Sequence, residues 1–230
     1  MRALLLASMV ALAGCAGEPR VDLSNIPACA SYEPSRGALE PGACKLEANG
    51  ETLHVKFAAT PEGSSGGVVS VDVVSAEGDV RQVLIEENVS EYLTPSVQDI
   101  DGDGRGDLLL PRESGNVNLV SGVWVFSGDG LYRRAGEVSG VAVARTDEGL
   151  IAVPARGSAA SWNVTFHQLD EGGLRLIASV DVEAQEAANG ALTTRCSLAD
   201  APGLEIVHLS TEQAETKFCA EPATTGVFRP

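Results

Sequence analysis

The residues best suited to chemistry are four aspartates that fall within nine positions. They stand at positions 1, 3, 5 and 9 of the stretch 99–107, which reads DIDGDGRGD and is followed by three leucines. Crowded carboxylates repel one another, because two unit charges about 4 Å apart near a protein surface interact by about 4 kcal/mol. A hard divalent cation relieves this repulsion, and calcium prefers oxygen ligands.

The spacing predicts a calcium loop with ligands at alternate positions. In such loops positions 1, 3, 5 and 9 contribute side chains and position 7 contributes its backbone carbonyl. Gly104, at position 6, permits the sharp turn that closes the loop around one Ca²⁺ ion. The predicted ligands are Asp99, Asp101, Asp103, the backbone carbonyl of Arg105, and Asp107.

The residues after the loop distinguish it from a helix–loop–helix calcium site. Position 12 is Leu110 and not the usual glutamate, and the apolar run 108–110 predicts a strand. The pattern DxDGDGxxDLLL resembles the calcium loops of FG-GAP (integrin-type) repeats and related bacterial proteins, in which the loop leads into a β-strand. A metal-free hairpin turn is the alternative, since Asp-Gly pairs also form turns.

A second resemblance extends beyond the loop. A Gly-Asn turn at 115–116, an aromatic strand at 123–126 and a Gly-Leu-Tyr run at 130–132 follow in order, and the runs 162–168 and 173–177 come later. This order resembles lipoproteins related to the periplasmic inhibitor of invertebrate-type lysozyme, and immunity lipoproteins associated with type IV secretion. The resemblance covers 97–182. It implies a protein that binds a cationic, lysozyme-like peptidoglycan hydrolase.

The same resemblance suggests a partner-binding segment. In the lysozyme inhibitors a Ser-Gly-x-Tyr loop enters the cleft of the enzyme. The nearest match in this chain is Ser121, Gly122 and Trp124, with tryptophan in place of tyrosine and within a predicted strand. A serine with an ordinary structural role in a β-turn is the alternative for Ser121.

The start of the chain indicates export and lipidation. Arg2 precedes an apolar stretch at 3–13 that is too short to span a bilayer. The run Leu-Ala-Gly-Cys at 12–15 resembles a bacterial lipobox, which implies a lipid-modified N-terminus at Cys15. Ala16, and not aspartate, follows the cysteine, which resembles lipoproteins that are sorted to the outer membrane. The domain would then face the periplasm or the cell surface. An ordinary secretory signal is the alternative.

These features predict a lipoprotein signal peptide over 1–14, a tether over 15–26 and a calcium-binding β domain over 27–230, which could divide near position 95. Loss of Arg2 with the signal leaves 15 of the 16 basic residues against 32 acidic ones, a net charge of −17. This charge argues against nucleic acid and suits either a basic protein partner or a solvated surface.

Four further cysteines predict two disulfides, because an even number is typical of exported proteins. Four cysteines allow three connectivities, and pairing of sequence neighbours closes two local loops. We therefore favour Cys29 with Cys44 and Cys196 with Cys219. The cysteine and histidine spacings match no zinc site.

Short runs of strand-forming residues, separated by Gly, Asp and Ser clusters, predict a mainly β fold. The runs are 53–58, 68–74, 80–86, 108–110, 120–126, 132–137, 141–144, 151–155, 161–169, 175–182, 191–198 and 205–209. A helical turn is expected only within 182–191. The turns at 127–131, 147–150 and 170–174 favour hairpins, and so an antiparallel meander, a sandwich or propeller-like blades.

The sequence predicts a binding protein and not an enzyme. The run GSSGG at 63–67 matches a nucleophile elbow, but that motif needs a following helix and a strand is predicted here. His54, His167 and His208 fall in separate predicted strands, so they indicate neither a triad nor a zinc site. An FG-GAP-type structural or adhesive module is the alternative, although a propeller of such repeats should carry more than one acidic loop.

Overall fold

The computed structural model describes residues 20–31, 42–59, 66–90, 92–186 and 192–228. The predicted signal peptide and Cys15 lie outside these residues, as do positions 60–65, which hold much of the Gly-Ser-rich run. Part of the predicted tether is described and is bound to the domain. The N–H of Val21 donates to the carbonyl of Gly78 (3.0 Å), and Lys45 Nζ donates to the carbonyl of Leu23 (3.1 Å).

The described residues form three antiparallel sheets, so the prediction of a mainly β fold is confirmed. Sheet A contains β1 (Gly42–Ala48), β2 (Glu51–Ala59), β3 (Gly67–Val74) and β4 (Val80–Val89). Sheet B contains β5 (Ser96–Gln98), β6 (Asp107–Ser114), β7 (Leu119–Phe126) and β8 (Tyr132–Gly140). Sheet C contains β9 (Ala144–Arg145), β10 (Ile151–Arg156), β11 (Ser161–Asp170), β12 (Gly173–Glu186) and β13 (Leu192–Asp200). Each sheet is a meander whose neighbouring strands are consecutive in the chain.

Sheet B is the middle layer of a stack. Successive side chains of a strand point to opposite faces, and β6 uses both faces for packing. Leu108 and Leu110 lie in the core shared with sheet A, whereas Leu109 lies in the core shared with sheet C. A strand buried on both faces needs an uninterrupted apolar run, which explains the three consecutive leucines.

Two helices cover the outer face of sheet C. They are α1 (Thr211–Ala220) and α2 (Pro222–Thr225). Phe218 of α1 stacks on Phe166 of β11, with ring centroids 4.5 Å apart and both side chains fully buried. Neither of these helices is long and apolar enough to cross a membrane.

Two details of the predicted strand pattern are wrong. Positions 205–209 belong to no strand and 205–208 form turns before α1, with apolar side chains that pack against sheet C. Within 182–191, where a helical turn is expected, β12 continues to Glu186, and positions 187–191 lie outside the described residues. Only Ala144 of the predicted strand 141–144 belongs to a strand. His208 accordingly lies in a turn, with a φ of 54°.

The structure joins Cys29 to Cys44 and Cys196 to Cys219, the pairing favoured from the sequence. The two bonds differ in exposure. Cys29 and Cys44 are both 0% exposed, beside the inner face of sheet A. Cys196 on β13 and Cys219 on α1 are partly buried and line a cavity of about 220 Å³.

We expect the Cys196–Cys219 disulfide to be reduced first in the native protein. Exchange requires a thiolate to reach a sulfur atom, and the cavity gives access only to this pair. Limited treatment with dithiothreitol, followed by alkylation and peptide mapping, should label Cys196 and Cys219 before Cys29 and Cys44. Simultaneous labelling of all four would contradict the expectation.

Candidate functional site

The acidic loop connects β5 to β6 and brings three predicted ligands together. The carboxylates of Asp99, Asp101 and Asp107 each offer an oxygen, and these oxygens lie within 4.8 Å of one another. Two oxygens bound to one calcium ion at about 2.3–2.6 Å lie at most about 5 Å apart. The spacing of the three side chains therefore fits a single ion, and their all-oxygen donor set is the kind that calcium prefers.

Asp99 shapes the loop through its hydrogen bonds to the backbone. Its Oδ1 accepts the N–H groups of Gly102 (2.6 Å) and Asp103 (3.1 Å), and its Oδ2 accepts that of Gly104 (3.0 Å). Gly102 and Gly104 adopt φ values of 78° and 82°, which favour glycine. A Cβ at Gly102 would also collide with the guanidinium of Arg145 from sheet C. The turn is thus held by local bonds, and the exposed side chain of Arg145 lies beside it.

Asp107 fixes the start of β6 from inside the protein. It is 0% exposed, and its two oxygens accept the N–H groups of Ile100 (2.8 Å) and Phe126 (2.9 Å). Burial nevertheless raises the pKa of Asp107. Burial also raises the pKa of Asp101, to which the charges of Asp103 and Asp99 add. Without a cation, this site therefore opposes the ionised form of both carboxylates.

Asp103 is the predicted side-chain ligand that lies apart from the other three. It accepts hydrogen bonds from the guanidinium of Arg105, including one from Nε at 2.7 Å. These bonds lower the pKa of Asp103. The guanidinium of Arg105 also lies 5.4 Å from the centroid of the Phe126 ring. Ligation by Asp103 would require its carboxylate to leave this pair, and the carbonyl of Arg105 stays a predicted ligand.

The segment predicted to bind a partner is not a loop. Positions 121–124 lie in β7, an interior strand of sheet B. The indole Nε1 of Trp124 donates to Glu86 of sheet A at 2.7 Å, and a Cβ at Gly122 would collide with that carboxylate. Trp124 and Gly122 therefore lie against Glu86 at the interface between sheets A and B, and their contact with a partner stays a prediction.

Ser121 faces the opposite side of β7 and is 6% exposed. It lines a cavity of about 240 Å³ between the strands of sheet B and the segment that follows β8. Leu119 and Val141, which also line this cavity, are 37% and 40% exposed. The structure thus separates Ser121 from Trp124 and places it beside exposed apolar side chains, which sequence reasoning had not identified.

Comparison with known proteins gives one distant structural likeness. No protein-family model matches the chain, and no curated protein matches it. The fold is similar to that of a Xanthomonas type IV secretion system related protein, with a TM-score of 0.46 and 12% sequence identity. The similarity covers 74% of this chain and 94% of that chain. A likeness at this level concerns the fold and not the function.

Proposed function

We propose that this protein is a calcium-stabilised binding protein of the bacterial envelope. The observation that carries the proposal is the group formed by Asp99, Asp101 and Asp107, whose ligand atoms lie within 4.8 Å of one another. A bound cation would neutralise carboxylates that burial disfavours as anions. The donor set contains only carboxylate oxygens and one predicted backbone carbonyl, which suit calcium better than a softer metal.

The ion has a structural role in this proposal. Asp107 binds the backbone of both Ile100 and Phe126, so its carboxylate joins the loop to β7. An ion held by Asp107 and Asp101 would therefore fix the loop relative to sheet B. The carboxylates are engaged in ligation and backbone bonding, which leaves them unsuited to acid–base catalysis.

The proposed location and partner rest on the sequence. The lipobox-like run that ends at Cys15 supports a lipid anchor in the outer membrane, with the domain facing the periplasm or the cell surface. The chain's net charge of −16 supports a cationic partner. The resemblance over 97–182 supports a lysozyme-like hydrolase as that partner. We place its contact at Leu119 and Val141, which are exposed beside the cavity that contains Ser121.

A panel of lysozyme families tests the binding function. The purified protein should inhibit a cationic muramidase, with an association rate that falls as salt rises, because steering raises association rates by roughly 10–10³-fold and is screened by ions. Leu119→Asp should weaken binding by about 30-fold if this side chain is an anchor of the contact.

Ile85→Asp is the matched control, since Ile85 is an exposed apolar residue of sheet A, 52% exposed and remote in sequence from the cavity. It should bind the muramidase like the wild type. Absence of binding to every lysozyme family at low salt would exclude the hydrolase and favour an FG-GAP-type structural or adhesive module.

A further inference from the structure

Asn49, in the turn between β1 and β2, binds the acidic loop from sheet A. Its Nδ2 donates to the carbonyl of Gly106 and its Oδ1 accepts the N–H of the same residue, both at 2.8 Å. One side-chain amide thus satisfies both backbone groups of Gly106. Tyr132 adds to this contact, because its hydroxyl donates to the Gly106 carbonyl (3.3 Å) and accepts from Asn49 Nδ2 (3.1 Å).

The peptide group that Asn49 holds includes a predicted ligand. The N–H of Gly106 and the carbonyl of Arg105 belong to one planar trans peptide, so they point in opposite directions. By accepting that N–H, Asn49 directs the Arg105 carbonyl away from sheet A. Gly106 has little room to move, since a Cβ there would lie 2.5 Å from Cγ1 of Val97. The orientation of the carbonyl is therefore set by a residue outside the ligand set.

Turn chemistry alone does not explain this contact. Asn49 has a φ of 55°, which asparagine and glycine tolerate better than other residues. A hairpin turn requires only that backbone conformation, and glycine would provide it. The bonds to Gly106 span 57 positions of sequence and depend on the side-chain amide. The turn and the loop contact can therefore be separated by substitution.

We propose that Asn49 is a positioning residue of the metal loop, which fixes the Arg105–Gly106 peptide for ion binding and so couples sheet A to the ion. This inference rests on the proposed calcium site. Residues that orient metal ligands without touching the metal typically change metal affinity by about 10–100-fold. Loss of the Asn49 amide should have an effect of that size.

Asn49→Gly tests the proposal, because glycine keeps the turn and removes the amide. Calorimetric titration of the folded protein with calcium chloride should give a Kd about 10–100-fold above that of the wild type. Asn88→Gly is the matched control. Asn88 lies in β4 with a φ of 58°, and no described hydrogen bond connects it to the loop. Its calcium affinity should equal that of the wild type.

Tyr132→Phe is a second variant, which shows whether a lower calcium affinity in Asn49→Gly comes from the lost Gly106 contact or from a general loss of stability. It removes the hydroxyl that binds Gly106 and keeps the ring that packs against Phe126, so calcium affinity should fall severalfold. Titrations well below the melting temperature measure only the folded state, whose Kd a merely structural role would leave unchanged. Wild-type calcium affinity in both variants would overturn the role of Asn49 but not the proposed calcium site. Absence of calcium binding by the wild type would overturn the proposed function and the inference with it.

Discussion

Calcium should raise the melting temperature of the wild-type protein by roughly 5–10 °C at a free concentration one hundred times the Kd. Binding to the folded state alone contributes about 2.7 kcal/mol under these conditions, and each kcal/mol shifts the melting of a chain of this size by roughly 2–4 °C. Asp101→Asn should abolish most of this rise, because it removes a charged ligand and leaves the volume of the side chain unchanged. Calorimetric melts with calcium and with a chelator measure both effects.

Without calcium, Asp101→Asn should not lower the melting temperature relative to the wild type. Burial and the charges of Asp103 and Asp99 raise the pKa of Asp101, so its ionised form is disfavoured in the metal-free protein. Asp101→Asn should then melt at or above the temperature of the metal-free wild type. Asp147→Asn, at an exposed turn position, controls for the loss of one negative charge and should keep the calcium response. Identical wild-type melts with calcium and with chelator would contradict the metal site.

Glu86→Ala should destabilise the protein by about 3 kcal/mol, through loss of a buried link between sheets A and B. Glu86 is 3% exposed and accepts hydrogen bonds from Trp124 Nε1 (2.7 Å) and Arg134 Nε (2.8 Å). Its removal leaves the indole N–H without this acceptor and a partly buried guanidinium without its closest partner. The expected loss lies at the lower end of the range for buried ion pairs because Arg134 is partly solvated.

Urea denaturation of Glu86→Ala and Glu87→Ala measures this effect. Glu87 is the next residue of β4 and its side chain is exposed, so its removal should change the free energy of unfolding by less than about 0.5 kcal/mol. Equal stability of the two variants would show that Glu86 does not join the sheets. It would also favour partner binding over inter-sheet bonding as the role of Trp124.

The sequence predicted the acidic loop because its contacts are local. Asp99 accepts hydrogen bonds from backbone N–H groups three to five positions ahead, so the spacing of the aspartates and glycines alone predicts the turn. Asn49 could not be found in this way, since it meets the loop across 57 positions. The hydrogen bond of Trp124 could not be predicted for a related reason. Its partner Glu86 lies in another sheet, and no local pattern distinguishes an inter-sheet tryptophan from an exposed one.

Helix α1 has a local signal in the sequence. Ser210 and Gln213 form a capping box at the start of α1, with reciprocal side-chain bonds to the backbone. Apolar residues within 205–209 pack against sheet C, which produced a pattern that imitates a strand. Periodicity reports burial and not hydrogen bonding, so a packed turn and a short strand look alike in sequence.

The order of the sheets along the chain has a consequence for folding. Sheet A can complete its ladder before the strands of sheet B are in place, because its strands are consecutive. Its inner face stays uncovered until sheet B arrives, and sheet B then awaits sheet C. The acidic loop is bound by Asn49 of sheet A and ends at Asp107 of sheet B, and the exposed side chain of Arg145 from sheet C lies beside it. A fully formed loop is thus found only in a chain whose first two sheets have assembled.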